Sequence, residues 1–192
     1  MSNLKKRLEA LEAVASFGAG DYESTVIGFV SPNSKLLVRS YQLMNGKWEP
    51  TAKEPTAYFA ECLEPLFIRP KRFNVLIGGR GSGKSLGKAG HGLIMMHDLG
   101  KSLMCIREFQ ASIADSVHSM LSEEARRLEL SNIDITEKAL RFFHNNTASK
   151  FMGLSRNPDS VKSAYGFLDW FIEESQFLSD KSLKTLTPTP RS

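Results

Sequence analysis

Eight residues, Gly78-Gly79-Arg80-Gly81-Ser82-Gly83-Lys84-Ser85, constrain this chain more than any other segment. They satisfy the G-x-x-x-x-G-K-S spacing and lie between a short apolar run, Phe73 to Ile77, and a helix-forming stretch from Lys84 to about Asp98. Glycine admits backbone conformations closed to residues with a Cβ, so four glycines between 78 and 83 can turn successive N–H groups toward one point. The start of the helix adds its positive dipole end, and the loop becomes a cradle for an anion. The spacing brings Lys84 within reach of the β- and γ-phosphates of a nucleotide and offers the Ser85 hydroxyl to Mg²⁺. A dinucleotide fingerprint does not fit, because Gly79, Gly81 and Gly83 run G-x-G-x-G rather than G-x-G-x-x-G. Phe73 to Ile77 is too short for a helix and is followed at once by glycines, which predicts a buried strand.

The rest of the pattern is that of a folded α/β chain. Over 192 residues, 41% are apolar and 24% charged, the ordinary globular balance, and no apolar run approaches the roughly 18 residues of a membrane span. Leu4, Leu8, Leu11 and Ala15 predict a surface helix, with short strands at Thr25 to Val30 and Leu36 to Tyr41 and turns at Ser31-Pro32-Asn33 and Asn45-Gly46. Residues 1–55 read as an N-terminal extension and 56–192 as the core. In the core we expect a helix over Thr56 to Phe67, then the glycine loop with its helix, then a strand Leu103 to Ile106 that completes a parallel βαβ unit. A helix from Ile113 to Leu128 follows, with Ser112 and Asp115 spaced as a capping box and Glu123 four residues before Arg127. Ile135, Leu140 to Phe143 and Lys150 to Leu154 read as strands broken at Asn145-Asn146, Trp170 to Ile172 as a last strand, and Ser179 to Leu186 as a short helix. Cys62 and Cys105 form no CxxC pair, which argues against a disulfide framework or a zinc site, and both are expected as buried thiols.

A phosphate loop that hydrolyses needs acids opposite it, one beside the metal and one to activate water. Trp170-Phe171-Ile172-Glu173-Glu174 supplies them: an apolar strand that ends in two carboxylates resembles a Walker B motif of the additional-strand, catalytic-glutamate class. Glu173 then takes the metal-side place and Glu174 that of general base. Asp169 competes for the metal but is followed by Trp170, so its paired acid is missing. Arg107, at the end of the strand Leu103 to Ile106, is a candidate sensor, because ligands gather outside the carboxyl ends of parallel strands. Arg80, inside the loop, is placed to stabilise transition-state charge as an arginine finger does.

Four segments in order resemble the ATPase domain of the tailed-bacteriophage large terminases. They are Phe73 to Ser85 with its arginine-containing loop, Cys105-Ile-Arg107 with Asp115-Ser116-Val117, Phe151-Met-Gly-Leu154 with Val161-Lys162-Ser163, and Trp170 to Glu174. The resemblance covers about residues 56–192. It implies a P-loop NTPase with a mostly parallel central sheet flanked by helices, ATP and Mg²⁺ as cofactors, and a motor that moves double-stranded DNA. It also implies a portal protein and a small terminase subunit as partners, a homo-oligomeric ring, no membrane, and action in the host cytoplasm at the procapsid. Members of the family carry a nuclease domain and a coupling strand beyond this point, so the expectation is a fragment holding the ATPase core without nuclease activity. The net charge of +4 is mildly favourable for a polyanion and decides nothing. Two other functions fit the loop. A small-molecule kinase should carry an arginine-rich lid, whereas Arg126-Arg127 falls on an amphipathic helix; a non-catalytic, nucleotide-gated assembly module would have no use for Glu174.

Overall fold

The computed structural model describes residues 25–109 and 113–188; the expected helix over the first sixteen residues, the capping box that needs Ser112, and the tail 189–192 lie outside them. A four-stranded sheet comes first, from β1 (Val26–Val30), β2 (Leu37–Met44), β3 (Lys47–Pro50) and β4 (Ala57–Ala60), in the order β3-β2-β1-β4. Asn45 and Gly46, both at positive φ (51° and 74°), join β2 to β3 in the two-residue turn that matches strand twist. β4 corrects the expected helix over Thr56 to Phe67. Its alternation, with Ala57 and Phe59 buried and Tyr58 exposed, is satisfied by parallel pairing with β1. Helix α1 is confined to Glu64–Ile68, because Pro65 has no N–H to bond backwards and can open a helix but not sit inside one.

Helix α2 (Lys84–Leu99) leads to β5 (Ser102–Arg107), α3 (Ile113–Arg127), β6 (Ile133–Ile135), β7 (Leu140–Phe142), β8 (Thr147–Gly153), β9 (Phe167–Ile172) and α4 (Asp180–Leu186). These strands form a second sheet in the order β6-β7-β8-β5-β9. β8, β5 and β9 are parallel, while β6 and β7 join antiparallel, so the sheet is mixed rather than mostly parallel. The tight reversal at Asn145-Asn146, with Asn146 at φ 54°, is the reason: a short turn can only return the chain antiparallel. β5 is an interior strand of the sheet, flanked by β8 and β9, and Leu103, Met104, Cys105 and Ile106 are all fully buried, as expected of a strand covered on both faces. Cys62 is exposed, contrary to the expectation of two buried thiols.

The run Phe73 to Ile77 is the largest departure. It makes no strand pairing; Phe73, Val75 and Ile77 are 52%, 76% and 92% exposed, and only Leu76 packs against the core. Apolar composition alone does not bury a segment; a strand also needs a neighbour for its backbone groups, and none of the described strands supplies one. The βαβ unit expected through α2 is therefore not closed, and the parallel pairs of the sheet are β5 with β8 and β5 with β9.

One core spans both sheets, with Ile27, Phe29, Phe59 and Phe67 from the first half against Leu93, Leu103, Leu121 and Phe142 from the second. α2 is its axle. A Cβ at Gly90 would lie 2.7 Å from both Phe59 Cε1 and Glu124 Oε1, and one at Gly87 would strike Leu63, so these glycines let α2 seat deeply. On the opposite face of the sheet, Met104, Ile106, Met152 and Leu154 pack against Val161 and Leu186. Along β5 the two clusters take alternate residues, as strand pleating requires. In α3 the ion pair forms between Arg127 and Glu124 rather than with Glu123. Among the described residues no helix is long and apolar enough to cross a membrane.

Candidate functional site

The glycine loop is shaped by two left-handed residues. Gly81 and Gly83 have φ of 75° and 77°, a region that costs other L-residues about 1–2 kcal/mol, and Gly83 caps the start of α2. Its carbonyl accepts the first helical bond from Gly87 N–H at 2.8 Å. Lys84 folds back over the loop and donates to the carbonyls of Gly78 (2.7 Å) and Gly79 (2.8 Å) and to Ser82 Oγ (3.0 Å). The ammonium thus sits among the atoms of the cradle. Arg80 lies exposed in the turn of the loop.

One turn of α2 reaches the end of β9. Ser85 Oγ donates to Glu173 Oε1 at 2.7 Å, which joins the loop to the first of the two acids. Glu173 N–H donates to Ile106 O at 2.9 Å and extends the β5–β9 pairing one residue past the strand. The chain then turns: Glu174 adopts φ 52°, ψ 44°. That left-handed residue swings the second carboxylate toward Arg107, whose Nη2 lies 3.3 Å from Glu174 Oε1. Arg107 is 11% exposed and Glu174 47%, so the arginine is seated and the acid is reachable from solvent. A small cleft beside them is lined by Arg107, Glu108, Phe109, Glu174 and Phe177. The structure therefore pairs Ser85 with Glu173 and Arg107 with Glu174.

Asp169 has a different set of neighbours. Both its oxygens accept from Lys88 Nζ at 2.7 Å, and the same ammonium donates to His91 Nδ1 at 3.0 Å. His91 Nε2 lies 3.2 Å from the Leu66 carbonyl, which can only accept. A lysine ammonium can only donate, so Nδ1 is the bare nitrogen, Nε2 carries the proton, and His91 is neutral. Lys88 and His91 escaped sequence reasoning. The usable signal was the spacing, since Lys88 is one helical turn beyond Ser85 and Asp169 lies on the same face of its strand as Glu173.

These contacts set a pH response. Burial, and after it the Lys88 charge, hold the His91 imidazole below its ordinary value of about 6.5. Burial alone would raise the Asp169 carboxyl, but the Lys88 ammonium outweighs it and holds the group well below the usual carboxylate range. For a histidine whose folded value is lowered, the unfolded chain takes up the proton first, so stability is full above about 6.5 and declines as the pH falls below it. Asp169 acts in the same direction but only in the more acidic window below about 4. The urea midpoint is expected to fall from pH 7 to pH 5, and His91→Gln to flatten that slope; an equal slope in both proteins would contradict the buried neutral imidazole.

Among the described residues no group of three or more His, Cys, Asp or Glu is arranged to hold a metal. What the site offers a cation is the oxygen pair of Ser85 and Glu173. That hard, sparse donor set fits Mg²⁺, which keeps several waters and takes one or two protein ligands beside the phosphates of its substrate.

A family model described as the phage terminase large subunit matches residues 70–192, a span that takes in the glycine loop, α2, Arg107 and both acids. No curated protein sequence matches the chain.

Proposed function

Because the chain belongs to the phage terminase large-subunit family, we propose that it is an ATP-hydrolysing motor domain of the additional-strand, catalytic-glutamate class that drives double-stranded DNA into a procapsid. The observation that carries this reading is the 2.7 Å bond from Ser85 to Glu173, which joins a phosphate loop to an acidic strand end across 88 residues of sequence. On this reading the loop N–H groups and the end of α2 bind the phosphates, and Lys84 exchanges its loop carbonyls for β- and γ-phosphate oxygens. Ser85 and Glu173 would hold Mg²⁺. When bound, the ion neutralises charge on the β- and γ-phosphoryl oxygens. Glu174, held by Arg107, orients a water and takes its proton, and Arg80 offsets charge on the γ-phosphoryl oxygens from the crest of the loop.

Contact with DNA on this reading is with phosphates, independent of sequence and weakened by salt. The portal protein, the small terminase subunit and a ring of like subunits are the partners proposed with it, in the host cytoplasm at the procapsid. The test is phosphate release from ATP by the whole chain, with Mg²⁺ or EDTA and with or without double-stranded DNA. Mg²⁺-dependent release into water, raised by DNA at low salt, supports the motor. Transfer of the phosphoryl group to a metabolite, or ATP binding without turnover in the presence of DNA and a full ring, overturns it.

A further inference from the structure

The hydroxyl–carboxylate bond between Ser85 and Glu173 is a single contact between two separate elements, and something must hold those elements in register. β9 is an edge strand among the described residues, paired with β5 on one side only. Its other polar tie lies four residues earlier, where Asp169 meets Lys88 of α2. Asp169, Phe171 and Glu173 share one face of β9, and Ser85 and Lys88 share one face of α2. The two bonds are therefore successive rungs of one ladder between helix and strand. The inner rung is the more constrained: its side chains are 13% and 17% exposed, against an outer rung at the rim of the loop. All three N–H groups of the Lys88 ammonium are engaged, two by Asp169 and one by His91, and His91 is tied in turn to the backbone of α1 at Leu66. A lysine so engaged is not available to a phosphate.

We propose that Lys88 and Asp169 are a positioning pair that sets the register of β9 against α2 and so presents Glu173 beside the Ser85 hydroxyl as a two-oxygen site for a divalent cation. The inference rests on the nucleotide-binding reading above. Slippage of β9 by one residue would turn Glu173 to the far face of the sheet, because the side-chain period of a strand is two. The β5 ladder fixes that register within the sheet, and a bidentate ion pair to a three-point anchored ammonium seats α2 against it better than one hydrogen bond to a serine. Asp169 thus acts through Glu173 and does not touch the nucleotide.

The experiment is calorimetric titration of the whole chain with ATP, once with Mg²⁺ and once in EDTA, beside a thermal melt. The wild type is expected to bind ATP more tightly with Mg²⁺. Asp169→Asn should lose most of that gain, tenfold or more, approaching Glu173→Gln, while its affinity in EDTA changes less than about threefold; Asp169→Glu should restore part of the gain. Should Asp169→Asn fold poorly, the double variant Lys88→Met with Asp169→Leu keeps packing without the directional bonds. It should melt cooperatively and still lack the Mg²⁺ gain. A folded variant of either kind with the full wild-type gain overturns the positioning role and leaves the nucleotide site standing. A wild type that binds ATP equally with Mg²⁺ and EDTA overturns the cation site itself, and this inference with it.

Discussion

Glu174→Gln is expected to bind ATP within about threefold of the wild type and to lose about 10²- to 10⁴-fold in turnover, the range that a general base contributes. The amide keeps the size of the side chain and an oxygen that can still accept from Arg107, 3.3 Å away. What it cannot do is take a proton from water. Because Glu174 is half exposed and sits in a surface turn, the substitution should leave the melting temperature within a few degrees. Affinity by calorimetry and phosphate release by a coupled assay separate the two effects. A loss of binding equal to the loss of turnover would show that Glu174 is not the base, and Glu173→Gln would then be the variant to examine.

Lys84→Ala should abolish measurable ATP binding, by 10²-fold or more. Bonds from a charged donor are worth about 1.5–3 kcal/mol each, and an ammonium with two phosphate partners would forfeit at least two. A second effect adds to it, since Lys84 ties the carbonyls of Gly78 and Gly79 and the Ser82 hydroxyl together and helps to shape the cradle. The core does not depend on those bonds, so the variant should unfold at nearly the wild-type urea concentration. If Lys84→Ala bound ATP as the wild type does, the loop would be a glycine turn and nothing more.

The parts of the molecule that could be read from the chain are those whose signals are local. α2 and α3 end within a residue or so of the limits predicted from periodicity, and α4 opens at its Ser179 cap, whose side chain accepts from Ser182 N–H at 3.2 Å. The two acids were found because an apolar run that stops at charge marks a strand end. The segments that misled were apolar too. Ala57 to Ala60 reads as helix until β1 offers it a parallel neighbour, and Phe73 to Ile77 reads as a buried strand although no strand among those described lies beside it. Lys88 could not be told from a solvated lysine on a helix, because its partner is 81 residues away in sequence.

From the chain alone came a glycine loop with its lysine and serine, an acidic strand end, and an α/β architecture, because backbone freedom, hydrophobic period and charge are written into neighbouring residues. Only the tertiary structure decided that Glu173 meets Ser85 while Glu174 meets Arg107, that Asp169 is held by Lys88, and that the sheet is mixed. Each of those outcomes depends on which strand lies beside which and in what register. Pairing is a competition among distant segments for the same backbone groups and the same buried surface, and no window of local sequence contains its result.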